Sequence, residues 1–344
     1  MVPAPLSIAD LFQQREQYLI PLFQRGYVWT LTHQIQPLWE DVVDRVEALK
    51  EHRENAQRVG GAEKLKPLRK HFLGALIVGN PVDYDTQVVA TREVIDGQQR
   101  ITTLQIMLLA LRDIITREGD PALSEDIGLL TFNKGSYRAK SDHLKVWPTN
   151  AGRDVLQALM DSGSMEEICK RFPVKGPNRQ KFERPPMVQA YLYFSALLEC
   201  LARGKRFDDP MPDVDFEDDH TVTRAVIRSI EKDNQVQVPY RDLPLNLSPF
   251  KLLQSTLQTA FQVMRLQLGA EDDPQIIFET LNARGVPLQP SDLIRNFLFL
   301  RASRNREDVS ALYEKYWQTL MRRLSQELAQ RELNFGKKRN DKAV

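Results

Sequence analysis

Cysteine is nearly missing from this 344-residue chain, which has two, Cys169 and Cys200. Neither stands at a zinc-ligand spacing from another Cys or His, which argues against a zinc site and against a disulfide framework. Histidine is also scarce: His33, His52, His71, His143 and His220 are scattered, so neither a metal cluster nor a histidine-centred nuclease is expected. There is no excess of charge of one sign either, since 47 Lys and Arg face 46 Asp and Glu. Bulk basicity therefore cannot hold nucleic acid, and any such contact has to be a local patch. No apolar run reaches the ~18 residues of a membrane span, and the first ten residues lack a signal-peptide pattern, so the chain reads as cytoplasmic. The motifs G-x-x-x-x-G-K-[ST], G-x-G-x-x-G and H-E-x-x-H are absent as well.

What is present is a turn. In Val94-Ile95-Asp96-Gly97-Gln98-Gln99-Arg100-Ile101-Thr102-Thr103-Leu104 a short apolar run breaks at Asp-Gly and reopens as a helix with polar residues in its first turn. Glycine allows backbone N–H groups to approach an anion, the helix start adds about half a positive charge, and Arg100 offers a fork of donors that matches phosphate. A nucleotide or a nucleic-acid backbone is the expected ligand. Asp96 suits the orientation of a metal or water, Gln98 and Gln99 the positioning of water or sugar, and Thr102 and Thr103 capping or coordination. Each part alone also fits an ordinary turn or cap; the combination with Arg100 is more specific.

Around this turn the spacing predicts an α+β arrangement. A short helix is expected over 6–16 with Ser7 as N-cap, a helical stripe over 35–49, and a mobile polar connection over 54–66. Apolar runs at 72–78, 87–90 and 93–95 predict a small sheet, and Ile101, Leu104, Leu108, Leu111 and Ile115 a buried helix face. Beyond Pro121 the segments 155–160, 188–202, 252–266 and 312–328 all read as helical. Two parts follow, residues 1–120 with the sheet and residues 121–344 mainly helical. The acidic stretch 207–219 reads as a solvated loop.

Two further segments carry chemistry. Ile20-Pro21-Leu22-Phe23-Gln24-Arg25-Gly26-Tyr27-Val28-Trp29 sets a Gln-Arg pair and two aromatics in a proline-stiffened segment; Arg25 can pair with phosphate, and Tyr27 or Trp29 can stack on a base or line an apolar pocket. The block Phe278-Glu279-Thr280-Leu281-Asn282-Ala283-Arg284-Gly285 ends a helix at a glycine, and Asn282 and Arg284 project polar donors from that joint. Among the histidines, His71 is the one candidate for a ligand role.

The I-P-x-x-Q-R-x-Y-x-W segment, the D-G-Q-Q-R-x-T-T-L core, the F-E-x-L-N-x-R-G block with its following D-L-I-R-N, and Lys145-Val146-Trp147-Pro148-Thr149-Asn150 together resemble the GmrSD and SspE family of modification-dependent restriction and anti-phage proteins. The resemblance runs in motif order over about residues 5–330. It implies a ParB/sulfiredoxin-like N-terminal domain that binds and hydrolyses a nucleoside triphosphate, GTP or ATP with Mg2+, followed by a helical region. In that reading Asp96, Gln98, Gln99 and Arg100 are catalytic. Gly97, Thr102, Thr103, Gln24, Arg25, Asn282 and Arg284 bind nucleotide, and Pro21, Tyr27, Trp29 and His71 sense a DNA modification. A phosphorothioate is favoured over glucosylated or hydroxymethylated cytosine, because an apolar pocket suits a weakly hydrated sulfur. The implied partners are modified DNA and an HNH-type nuclease, which has no candidate residues here and is expected as a separate subunit or a missing continuation. Self-association into a homo-oligomer is left open. A non-catalytic module that grips the DNA backbone with the same turn is the alternative.

Overall fold

The computed structural model describes residues 2–22, 24–79, 89–135, 140–148, 150–211, 221–269 and 271–272, and shorter pieces between 276 and 327. Met1–Ile20 and Gly26–Pro274 form one compact unit, and Pro21–Arg25 with Gln275–Val344 a second.

The first unit is built on a six-stranded mixed sheet. Its strands are β1 (Val2–Leu6), β2 (Glu16–Leu19), β3 (His71–Val78), β4 (Ala90–Asp96), β5 (Val146–Trp147) and β6 (Phe261–Gln267), in the order β1-β6-β3-β4-β2-β5. Pairing is antiparallel for β1 with β6 and β3 with β4, and parallel for β3 with β6, β2 with β4 and β2 with β5. The α+β class expected from the sequence is what the chain adopts. Pro3 and Pro5 sit in β1 at the sheet edge, the place where a residue without an N–H does no harm to the ladder.

Two expectations change. The segment 252–266 divides into helix α9 (Ser248–Thr259) and strand β6, whose alternation of Phe261, Val263 and Arg265 has the period of a strand. The polar stretch after Leu49 stays helical: α2 spans Gln36–Val59 and ends at Gly60 in the left-handed conformation. Its last turns are rich in Glu, Arg, Gln and Ala, which favour helix without needing a packed face. By contrast Ser7 caps α1 (Ile8–Gln13) as its residue type predicts. It accepts from the Asp10 N–H at 3.0 Å while Asp10 Oδ2 accepts from the Ser7 N–H at 3.1 Å, a reciprocal capping box.

Helix α3 (Gln98–Glu118) is the axis of the unit. The expected one-sided stripe is in fact buried all round from Leu104 to Leu111, since the helices α4 (Pro121–Thr131) and α7 (Pro186–Ala202) pack against it besides the sheet. Gly119 ends it in the left-handed conformation, and Asp120 then caps α4 by accepting from the Leu123 N–H at 3.1 Å, with Pro121 at the first position. Because β5 and β6 complete the sheet and α7 completes the core, residues on both sides of position 120 share one sheet and one core.

The sheet also carries a buried ionic network. Glu16 accepts from Arg92 Nη2 at 2.5 Å and from Arg265 Nη1 at 3.0 Å, tying β2 to β4 and to β6, which is not its neighbour. Arg92 reaches Gln267 at 3.1 Å, and Lys145 Nζ donates to the Gln14 carbonyl at 2.7 Å. Burial lowers the Lys145 ammonium to about 8 against the pull of Glu16. An unfolded lysine titrates near ~10.4, so between these values the unfolded state binds more protons and stability rises with pH. The stability difference between the parent and Lys145→Met, from urea midpoints at pH 7.5 and 9.5, should therefore shift in the parent's favour at the higher pH. A difference independent of pH would contradict it.

In the second unit, Phe299 is buried against Tyr313 and Trp317, with ring centroids at 5.3 and 6.1 Å, beside the short helix Val309–Leu312 and the π-helical turn Tyr313–Gln318.

Candidate functional site

β4 runs into Asp96, Gly97 turns the chain at φ 91° and ψ 9°, and α3 begins at Gln98. Among the described residues no side chain caps this helix start. The bond from the Ile101 N–H to the Gly97 carbonyl, 3.0 Å, closes the first turn. The N–H groups ahead of it have no acceptor inside a helix, which is the condition for anion binding.

Arg100 leans back onto strand β3. Its Nη1 donates to the Ala75 carbonyl at 2.5 Å, and the guanidinium covers Gly74, where a Cβ would come within 2.9 Å of Cζ. Gly74 has φ 102° and lies at an irregularity in the β3–β6 register. Burial lowers the Arg100 pKa, opposed by the Asp96 carboxylate. Among the described residues the other donors of this guanidinium have no hydrogen-bond partner. The signal for this contact was in the sequence, since a lone glycine within an apolar strand marks a bulge or a close approach.

Gln99 is turned the other way. Its Oε1 accepts from the Val28 N–H at 2.8 Å and its Nε2 donates to the Gly26 carbonyl at 2.9 Å. One turn on, the hydroxyls of Thr103 and Tyr27 share a hydrogen bond of 2.6 Å, and Thr103 Oγ1 also lies 2.8 Å from the Gln99 carbonyl. Burial raises the Tyr27 phenol well above its ordinary value, so it stays neutral. Gln99 thus fastens the backbone of the aromatic segment to the start of α3. Gln99→Leu should cost about 1–2 kcal/mol in urea unfolding and speed hydrogen exchange at the Val28 amide; unchanged exchange there would show that the clamp is not what holds the segment.

The turn, Arg100, Gln99, Thr103 and Tyr27 are therefore assembled in one place. Thr102 is buried beside them in α3, Gln98 is half-buried at the helix start, and Trp29 packs partly buried against the core. His71 stands apart at the first residue of β3, its Nε2 3.3 Å from Asp41 Oδ2 and its ring edge-on to Phe261. Pro21, Gln24 and Arg25 belong to the second unit, where Pro21 and Gln24 are buried. Asn282 and Arg284 lie outside the described residues. Among the described residues no group of His, Cys, Asp or Glu is arranged to hold a metal ion, and no helix is long and apolar enough to cross a membrane.

Fold and turn define an α+β protein organised around a strand–glycine–helix start. A sequence model of the GmrSD restriction endonuclease N-terminal domain matches residues 8–299, and the chain belongs to that family. Membership fits a modification-dependent restriction system. No curated protein matches the chain as a relative.

Proposed function

We propose that this chain is the nucleotide-hydrolysing sensor of a modification-dependent restriction system. The observation that carries the reading is the uncapped start of α3 at Gly97, flanked by the half-buried Arg100 and Asp96. A triphosphate would lie with its oxygens on the first-turn N–H groups and its charge against Arg100. Among the described residues the protein has no metal cluster of its own there, but Mg2+ commonly keeps several waters and takes one or two carboxylates besides phosphate oxygens, so Asp96 would be its one protein ligand beside the triphosphate. Gln98 is free of the clamp that occupies Gln99 and is the better candidate to orient a water. Tyr27, held on Thr103, and Trp29 offer an aromatic wall beside the turn for a base or a modified DNA group, with phosphorothioate favoured for its weak hydration.

The test is steady-state phosphate release from GTP and ATP with magnesium, with duplexes that differ only in one modification. Arg100→Ala should lose at least about tenfold of the parent's turnover, as expected when a charged partner of a phosphate is removed. Parent turnover no higher than that of Arg100→Ala, with or without modified DNA, would leave the turn as a non-catalytic grip on phosphate.

A further inference from the structure

A second basic feature lies away from the turn, in the helical part of the first unit. Between α6 (Met165–Arg171) and α7 the chain forms a small hairpin: Lys175 and Lys181 pair as an antiparallel bridge, Phe182 N–H donates to the Val174 carbonyl at 2.9 Å, and Gly176 N–H to the Gln180 carbonyl at 2.9 Å. The segment Lys170–Arg184 holds six basic residues and one acid, Glu183, in a chain whose total charge is close to zero.

This hairpin is fastened by groups that leave its lysines free. The buried Arg184 donates through Nε to the Phe172 carbonyl at 2.8 Å, through Nη1 to Ile230 at 2.5 Å, and through Nη2 to Asp233 and Asn234, both at 3.0 Å. Two of these carbonyls belong to the C-terminal end of α8 (Val222–Lys232) or the residue that ends it, where a guanidinium is electrostatically favoured. Asn234 in turn accepts from the N–H groups of Val174 and Lys175 and donates to the Lys175 carbonyl.

Between the hairpin and the end of α8 lies a cleft of about 550 Å³. Lys175, Lys181 and Lys232 stand on it, all exposed, and among the described residues none makes an ion pair or side-chain hydrogen bond. Glu183 and Glu231 share the rim, while Phe182 is 49 % exposed over Gly176. Three unpaired ammonium groups beside one exposed aromatic face, on a hairpin held rigid from behind, match a strand of nucleic acid. Phosphates neutralise the lysines, and an unpaired base stacks on the ring.

We propose that this cleft is a nucleic-acid contact in its own right, gripping the phosphate backbone through Lys175, Lys181 and Lys232 and one unstacked base through Phe182. It rests on the reading that the chain acts on DNA, but not on nucleotide hydrolysis. The experiment is fluorescence anisotropy of the full chain with a labelled duplex carrying a single-stranded tail, across a salt series. Four proteins are compared: the parent, the triple variant Lys175→Gln, Lys181→Gln, Lys232→Gln, a control of equal charge, Lys50→Gln, Lys66→Gln, Lys134→Gln, and Phe182→Ala. The hairpin variant should bind about tenfold or more weakly and lose roughly 2–3 from the slope of log affinity against log salt, since each neutralised phosphate contributes ~0.7–0.9. The control should keep both. Phe182→Ala, which leaves the charges in place, should keep the slope and lose at least about fivefold in affinity for the tailed duplex. A hairpin variant with the parent's affinity and slope would overturn the proposal while phosphate release by the parent left the hydrolytic reading standing. A parent that binds no DNA at any salt overturns it too, and with it the reading that the chain acts on DNA.

Discussion

Gly97→Val is expected to abolish triphosphate turnover and to lower the unfolding free energy by roughly 2–4 kcal/mol. At φ 91° the position is one that side chains rarely adopt, and a β-branched residue is the worst fit to it. Space adds to the cost: a Cβ there would meet the Ala75 carbonyl at 3.0 Å, Leu76 Cδ1 at 3.2 Å and Arg100 Nη1 at 3.3 Å. Relief of that contact has to come from the carbonyl that Arg100 uses or from the helix start itself, so strain and loss of the proposed anion site are one event. Gly119, at the other end of α3, separates the two contributions. It has φ 77°, yet a Cβ there meets nothing within 4 Å. In urea unfolding Gly119→Ala should cost about 1 kcal/mol from the backbone alone, and Gly97→Ala clearly more. Equal costs would mean that close approach to β3 plays no part.

The second large effect belongs to Glu16. Removing one partner of a buried ion pair typically costs about 3–5 kcal/mol, because the remaining charge is left without compensation. Here one carboxylate serves two guanidinium groups, and the side chains of Glu16, Arg92 and Arg265 are each 11 % exposed. Glu16→Gln, nearly isosteric, should reach that range. The triple variant Glu16→Leu, Arg92→Met, Arg265→Met should recover most of the loss, since apolar groups of similar volume leave no buried charge behind. A single variant costing under about 1 kcal/mol would show the arginines to be solvated in some other way. Phosphate release measured on the same proteins would show whether the network serves only the sheet.

Much of the local structure was legible because it is local. The Ser7 cap and the strand–glycine–helix start at Asp96 are each written in a few adjacent residues whose conformational preferences agree. The sheet was only half legible. β1 and β6 are separated by most of the chain, β6 follows directly on a helix, and only Phe261 and Val263 of its seven residues are fully buried, so a short run with strand period is masked by a helical spacing. The ionic network was invisible for the same reason: Glu16, Arg92 and Arg265 are ordinary charged residues until pairing across the sheet brings them together.

By itself the sequence determined the strand–glycine–helix turn, its glycine and its arginine, and the family to which they belong, since these depend on residue types at fixed short spacings. Only the tertiary structure decided how they are used. Arg100 is anchored on the Ala75 carbonyl, Gln99 holds Gly26 and Val28 rather than facing the turn, and His71 is taken up by Asp41. A long polar side chain has several partners of similar energy within reach, and packing of distant segments selects among them.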